Sequence, residues 1–237
     1  PLLSPSGAPP PPFSRAHHHP PPPHTSPRLQ NNLRVSGLEG EKLAGVQQGL
    51  LDISQRYGAS VESLSGVFMK ASMAQKELGA STQQIVQLNE VIAAALKVTG
   101  TSAQEASGAL LQLGQALSSG VVRAEEFNSL LEGAYPLVQA AARGIDRFGG
   151  SVAKLRVAVT EGEVSSREFF EGVLKGGVET IKQAESATMT LSGAFEALKS
   201  SITVYVGEAD KANGVSATLA EGIDKLADNL DLVTNAL

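Results

Sequence analysis

The sequence has no cysteine and no tryptophan, and aromatic residues make up only 4% of it. The absence of cysteine excludes disulfides, thiolate metal sites and a cysteine nucleophile from this chain. The scarcity of aromatic side chains means that a core must be built mainly from alanine, leucine, valine and isoleucine. Such a core suits closely packed helices better than a sandwich of strands.

Histidine is missing from most of the chain, because all four histidines lie in the N-terminal segment, at His17, His18, His19 and His24. Acid–base catalysis at neutral pH usually needs a histidine, or a carboxylate or lysine with a shifted pKa. Beyond residue 24 the chain therefore cannot form a Ser–His–Asp triad or a zinc site that contains histidine. The sequence predicts no catalytic, cofactor-binding or metal-binding residues, and a protein that is not an enzyme.

One adjacent acidic pair, Glu125 and Glu126, lies near the centre of the chain and is the best candidate for a catalytic dyad. A more ordinary role is at the first turn of a helix, where negative charge interacts favourably with the helix dipole. Arg123, three residues before Glu126, could pair with it on a solvated face. We therefore interpret the acidic pair as a feature of a helix start.

Strong charge and long apolar runs are also missing. The net charge of -5 is mild, and lysine and arginine form no cluster with interleaved aromatic residues, so no nucleic-acid partner is expected. A membrane-spanning helix needs about 18 or more consecutive apolar residues. The best run, from Val91 to Leu96, is stopped by Lys97, and we expect no membrane segment in this chain.

Proline is concentrated at the N-terminus, where residues 1–27 hold eleven of the twelve prolines. Proline lacks the N–H that a helix needs and fixes φ. We therefore predict that residues 1–35 are a disordered lead, with polyproline-like stretches at 9–12 and 20–23. These prolines could bind a proline-recognition groove, and the histidines could bind a metal ion. A linker without either function is the favoured interpretation, because nothing nearby fixes the geometry of a metal site.

From about residue 36 the apolar residues recur at steps of three and four, which indicates amphipathic helices. A short helix is predicted after Pro136, and further helices near 151–160, 166–175, 178–206 and 215–235. Five predicted apolar faces share this spacing: Leu43, Val46, Leu50 and Ile53; Val61, Leu64, Val67 and Ala71; Ile85, Leu88, Ile92 and Ala95; Leu191, Phe195, Leu198 and Ile202; and Leu219, Ile223, Leu226 and Leu230.

Similar breaks separate the first helices. Each contains a glycine followed two residues later by a serine, and the serines stand 21 residues apart: Gly58 and Ser60, Gly79 and Ser81, Gly100 and Ser102. Glycine supplies the left-handed conformation just past a helix end, and serine caps the next helix. Short connections of this kind favour antiparallel neighbours. A solenoid repeat is an alternative that three similar units support weakly.

Several of these helix starts also have the form of a capping box, in which an acidic or amide residue follows the capping serine by three positions. The predicted boxes are Ser36/Glu39, Ser81/Gln84, Ser102/Glu105 and Ser165/Glu168.

Taken as a whole, the pattern predicts an all-α fold, a compact bundle or array of short antiparallel helices behind the disordered lead. We divide the chain into the lead at 1–35, a helical domain at 36–176 and long C-terminal helices at 177–237.

Gly108 and Gly114 fall inside a helical pattern, where glycine costs about 1 kcal/mol relative to alanine. Close helix–helix approach and simple tolerance explain them equally well.

Residues 102–145 read SAQEASGALLQLGQALSSGVVRAEEFNSLLEGAYPLVQAAARGI. This segment resembles the tape-measure domain in the N-terminal part of phage tail tape measure proteins. The shared order is a capped helix at Glu105 to Leu117, a turn at Ser119 to Arg123, an acidic helix at Glu125 to Glu132, and a helix begun by Pro136. The breaks LGAS and TGTS and residues 205–230 are similar too, so the resemblance covers about residues 38–235.

The resemblance implies a structural protein of phage tail assembly, which determines tail length and supports assembly of the tail tube. Its implied location is the lumen of the tail tube in the virion, and the host bacterial cytoplasm during assembly. Its implied partners are the tail tube, the tail assembly chaperone, tail tip proteins and further copies of itself. A generic helical interaction module and a degenerate prophage fragment without activity are the alternatives.

A ruler needs extended length, and a helix provides about 1.5 Å per residue. A chain that is broken by glycine about every 21 residues cannot form one continuous rod. We therefore expect this region to be a compact docking module rather than the measuring stretch.

Overall fold

The computed structural model describes residues 27–102 and 105–209, and its regular elements there are α-helices and one 3-10 helix. This confirms the prediction of an all-α fold. The helices are α1 (Pro27–Val35), α2 (Gly40–Tyr57), α3 (Val61–Met73), α4 (Gln75–Leu78), α5 (Thr82–Thr99), α6 (Ser107–Ser118), α7 (Ala124–Gly133), α8 (Tyr135–Gly144), the 3-10 helix (Asp146–Phe148), α9 (Val152–Thr160), α10 (Ser166–Ser186) and α11 (Leu191–Ala209).

The N-terminal lead is shorter than predicted, because α1 begins at Pro27. Proline is well suited to the first position of a helix, where its missing N–H has no intrahelical partner anyway. Leu29 and Leu33, four residues apart, are fully buried, and α1 packs against α3. Residues 27–35 therefore belong to the folded body. Residues 1–26, with the four histidines, lie outside the described residues.

The three glycine breaks have the predicted geometry. Gly58, Gly79 and Gly100 have φ values of 69°, 63° and 69° and end α2, α4 and α5 in the left-handed conformation. The oxygen Oγ of Ser60 accepts the backbone N–H of Ser63, and Ser81 forms a complete capping box with Gln84. The periodic stops thus work as helix ends and caps.

The predicted capping boxes have three different outcomes. Ser102 and Glu105 form both hydrogen bonds of the box, with Glu105 N to Ser102 Oγ at 3.3 Å and Ser102 N to the Glu105 carboxylate at 2.7 Å. These bonds lower the pKa of Glu105. Ser165 accepts the N–H of Glu168, but the Glu168 side chain binds Arg147 instead of closing the box.

The Ser36/Glu39 box is wrong. Glu39 itself occupies the position before α2 and makes no capping hydrogen bond, while the Ser36 hydroxyl donates to the carbonyl oxygen of Asn32 at the end of α1. Gly37 and Gly40 both have positive φ, so the chain turns sharply between α1 and α2. This turn places Ser36 on the preceding helix rather than at the start of the next.

The predicted apolar faces of α2, α3 and α5 point into the core. Every face residue of α3 and α5 is buried, as are those of α2 except the half-buried Leu43. The three units are not stacked as equivalent repeats, because α2 packs on α5 and α11, whereas α3 packs mainly on α1 and α6. The middle unit is also interrupted at Ala74, between α3 and α4. The arrangement is therefore a bundle rather than a solenoid.

The centre of the body is α10, which packs against α8, α5 and α6. The core around it is mainly aliphatic, as predicted, but its largest fully buried side chains are aromatic. They are Phe68, Phe127, Phe169 and Phe170. The few phenylalanines of the sequence are thus concentrated where helices α3, α7 and α10 meet the interior.

The helices α8 and α10 cross with their backbones in contact, and glycine makes this approach possible. A Cβ added at Gly176 would overlap the carbonyl oxygen of Ala140 and stand 2.8 Å from the backbone nitrogen of Gly144. A Cβ added at Gly144 would overlap the carbonyl oxygen of Gly172. Residues four apart share one face of a helix. The pairs Ala140/Gly144 and Gly172/Gly176 therefore form two matching flat strips.

This crossing corrects two predicted helices. The sequence pattern predicts helices near 166–175 and 178–206, with a break at the adjacent glycines 176 and 177. In the structure α10 runs without interruption from Ser166 to Ser186, and α11 begins only at Leu191. Gly176 faces α8 and Gly177 faces Val91 of α5, so both serve packing rather than a turn. The predicted boundary at 176/177 lies inside a continuous helix.

The two interior glycines of α6 have different roles: close approach of a neighbouring group explains Gly114, and simple tolerance explains Gly108. A Cβ at Gly114 would overlap the side chain of Lys70, whose amino group donates to the carbonyl oxygen of Leu111 at 3.4 Å. Burial under α6 lowers the pKa of Lys70. A Cβ at Gly108 would meet nothing within 4 Å. Gly114 therefore makes room for a neighbouring side chain, and Gly108 is simply tolerated.

The predicted apolar face of α11 is not buried. Leu191 and Leu198 are 57% and 47% exposed, and Phe195 and Ile202 are half-buried. The helix packs on α2 through a different face, which contains Gly193 and Ser200. The further helix predicted near 215–235 lies outside the described residues.

The α8–α10 crossing can be tested with Gly176→Ala. The added methyl group would overlap the backbone of α8, and we expect the free energy of unfolding to fall by about 2–4 kcal/mol. The matched control is Gly45→Ala in α2, where a Cβ meets open space. It should be neutral or stabilise by up to about 1 kcal/mol, because alanine is the better helix former. Urea unfolding of both variants gives the comparison, and equal stabilities would contradict the backbone contact.

Candidate functional site

Within residues 27–102 and 105–209, no cluster of three or more histidine, aspartate or glutamate residues is arranged to hold a metal ion. Several polar residues that are buried or clustered there serve helix starts, turns and contacts between elements, among them Glu126, Ser166 and Arg147.

The acidic pair Glu125–Glu126 lies in the first turn of α7, as predicted. The Glu126 carboxylate is buried and accepts the backbone N–H of Arg123 at 3.0 Å. Glu125 is exposed on the same turn. The contact with Arg123 is thus made to its backbone, and not to its side chain as the sequence suggested. Glu126 satisfies a backbone donor at the helix start and is committed to that role.

The turn at Ser119–Arg123 is joined to the turn that precedes α10. Val121 and Ser165 form an isolated antiparallel bridge. Val122 N donates to Val164 O at 3.0 Å, and Ser166 N donates to Gly120 O at 2.9 Å. The Ser166 hydroxyl also donates to the carbonyl oxygen of Ala116 at the end of α6. The turn at Ser119–Arg123, which lies within the motif at 102–145, therefore holds the start of helix α10.

Arg147 is the centre of an ion-pair cluster on the surface. Its Nε and Nη2 atoms each donate to one carboxylate oxygen of Glu168 at 2.9 Å, and Nη2 also donates to the carbonyl oxygen of Glu163 at 3.0 Å. The guanidinium carbon lies 4.6 Å from the ring centre of Phe148. The hydrogen bonds with Glu168 are the main reason that the pKa of Arg147 is raised.

The sequence does not predict this cluster. The spacing of Ser165 and Glu168 indicates a capping box, which gives Glu168 a different partner from the one in the structure. The 3-10 helix after α8 brings Arg147 to the start of α10, and a guanidinium offers two parallel donors that match a carboxylate. The bidentate pair therefore replaces the second hydrogen bond of the box.

An open groove of about 500 Å³ lies beside the cluster, along α9 and the 3-10 helix. Its lining combines charges of both signs, from Arg147, Lys154 and Glu163, with the exposed apolar side chain of Val157. A small-molecule site usually encloses its ligand and places a few polar groups precisely. The groove has neither property and is better described as part of an uneven surface.

The contact between α2 and α11 is small and polar. The hydroxyl groups of Ser54 and Ser200 lie 2.5 Å apart, both residues are buried, and Ser54 also bonds the carbonyl oxygen of Ala59. At the other end of the contact, a Cβ on Gly58 would stand 2.6 Å from the Cα of Gly193. On the other side of α11, Leu191 and Leu198 are left on the surface.

The helices of the described part are too short or too polar to cross a membrane.

Residues 25–211 match the family model for tape measure protein. No curated protein and no solved structure matches the chain significantly. The matched range covers most of the chain, and it begins two residues before α1 and ends two residues after α11.

The Arg147 cluster yields a testable coupling between the 3-10 helix and α10. We expect a double-mutant cycle with Arg147→Met and Glu168→Gln to give a coupling energy of about 0.5–1 kcal/mol, at the upper end for surface pairs because the contact is bidentate. The coupling should weaken in 1 M salt. As a control, the exposed pair Arg167–Glu171 on α10 should give no more than about 0.5 kcal/mol. A coupling energy below that of the control pair would contradict a stabilising contact between Arg147 and Glu168.

Proposed function

The chain belongs to the tape measure protein family of phage tails, and we propose that within this family it serves as a docking module of tail assembly. The family is structural rather than catalytic, and the match extends over residues 25–211. The observation that carries the finer proposal is the arrangement of the helices. They fold back on one another around α10 and do not continue along one line.

The length of the helices limits what this region can measure. The longest described helix, α10, has 21 residues, which corresponds to about 30 Å. The helices α8 and α10 lie side by side with their backbones in contact, so their lengths do not add. Gly58, Gly79 and Gly100 each end a helix before it becomes long. A folded body of this kind is better suited to binding other tail components than to measuring a length.

We propose that the partners are the tail tube, the tail assembly chaperone, the tail tip proteins and further copies of the chain. Support comes from the membership of the family and from apolar side chains that remain on the surface, such as Met73, Leu111 and Val178. The corresponding location is the lumen of the tail tube, after assembly in the host bacterial cytoplasm. In this proposal, the body from α1 to α10 binds partners, and the residues after α10 lead toward the rest of the tape measure.

We also propose that the chain has no enzymatic activity. The support is chemical: no histidine or cysteine follows residue 24, and Glu126 is engaged by backbone at the start of α7. Degradation of bacterial cell-wall material by the purified protein would contradict this proposal.

Small-angle X-ray scattering tests the shape on which the docking role depends. A compact body of this number of residues has a radius of gyration of about 18 Å. A single helix of the same number of residues would give about 100 Å. We expect a value close to the first figure for the intact chain in solution. A rod-like scattering profile would favour the measuring role.

The phenotype of assembled tails separates docking from measuring. In a phage whose tape measure protein contains this chain, Gly176→Val should destabilise the module and reduce the number of tails several-fold. The remaining tails should keep their normal length in electron micrographs. Gly45→Ala is the matched control and should leave both number and length unchanged. Normal numbers of tails with an altered length would show that this module measures.

A further inference from the structure

The helix α11 has two opposite faces, and only one of them contacts the body. Successive residues of an α-helix are about 100° apart around its axis. Gly193 and Ser200 therefore lie on one side, toward α2, and Leu191 and Leu198 lie about 160° away from them. The second side is the one left open, with Leu191 57% and Leu198 47% exposed. Phe195 and Ile202, both half-buried, complete this apolar face.

The sequence that follows α11 repeats the spacing of this face. The face residues Leu191, Phe195, Leu198 and Ile202 are separated by steps of four, three and four. The same steps separate Leu219, Ile223, Leu226 and Leu230. An apolar row at this spacing is the seam by which two helices pair. The stretch predicted to be helical, near 215–235, therefore presents one row that matches the open face of α11.

We propose that residues 215–235 dock on the apolar face of α11 and form the second helix of an antiparallel hairpin. The four-three-four spacing reads the same in both directions, so two such rows match when the helices run in opposite senses. The resulting pairs are Ile202 with Leu219, Leu198 with Ile223, Phe195 with Leu226, and Leu191 with Leu230.

The register of this hairpin agrees with the position of the connection. All four pairs are symmetric about one point, between Asp210 and Lys211. That point lies immediately after Ala209, the last residue of α11. The residues 210–214 read Asp-Lys-Ala-Asn-Gly, which supplies polar turn residues and a glycine. Connections of about two to five residues are typical of antiparallel helix pairs.

A tether this short favours docking within one chain over pairing between two copies. It holds the segment at an effective concentration on the order of millimolar beside α11. Charge does not oppose the pairing. The charged residues of the segment lie outside the apolar row; they are Glu221, Asp224, Lys225, Asp228 and Asp231. The inference concerns the chain itself and does not depend on its role in the tail.

Cysteine crosslinking of the intact chain tests the hairpin, because the sequence has no cysteine of its own. The face pair is Leu198→Cys with Ile223→Cys. The control is Leu198→Cys with Glu221→Cys, whose second cysteine is closer in sequence but on the opposite side of the predicted helix. With a short bismaleimide, the face pair should link within the chain at least about tenfold faster than the control. Both variants should keep the circular dichroism of the parent, since Leu198 is largely exposed.

A third variant adds Leu226→Asp to the face pair and should remove most of the difference from the control, because it places a charge in the apolar row. Two results would overturn the proposal. Equal rates for the face and control pairs would show that the segment does not dock in this orientation. Crosslinked dimers that increase with protein concentration would assign the open face of α11 to a second copy.

Discussion

The fold depends on one close contact, the crossing of α8 and α10. Ala140, Gly144, Gly172 and Gly176 leave the two backbones without intervening side chains, and α10 can then lie at the centre of the body. Backbone contact of this kind allows Cα–H···O interactions and tight dispersion contacts that larger residues would prevent. The other helices are arranged around this pair. Phe169 and Phe170, at the start of α10, extend the buried contact toward the interior.

The polar groups of the body serve this same arrangement. The turn at Ser119–Arg123 binds the backbone just before α10, and Arg147 binds Glu168 in the first turn of that helix. Glu126 caps α7, and Ser54 and Ser200 join α2 to α11. The motif at 102–145 thus contributes the turn that holds the start of the central helix.

The division of the chain also follows from packing. The body up to α10 buries aliphatic and aromatic side chains, whereas α11 contacts α2 through Gly193 and Ser200 and leaves Leu191 and Leu198 on the surface. The region that matches the tape measure family therefore consists of a packed body and a last helix with an exposed apolar side.

The sequence alone was sufficient for the helical class, the caps at Ser60, Ser81 and Ser102, and the buried faces of α2, α3 and α5. These features are local, because a cap or an amphipathic face is defined by residues within a few positions of one another. It was also sufficient for the family, through the ordered motif at 102–145. Glu126 at the start of α7 was predicted for the same local reason.

The tertiary structure alone decided the role of the glycines inside α10 and which side of α11 contacts the body. Gly176 and Gly177 look like a helix break in sequence, but inside α10 they are contacts with α8 and α5. The apolar row of α11 looks like a core face, but Ser200 and Gly193 make the contact with the body. Glu168 looks like a cap and binds Arg147, 21 residues away. A glycine or an apolar row has the same local pattern whatever lies opposite it, and only the packing of distant helices determines which role it takes.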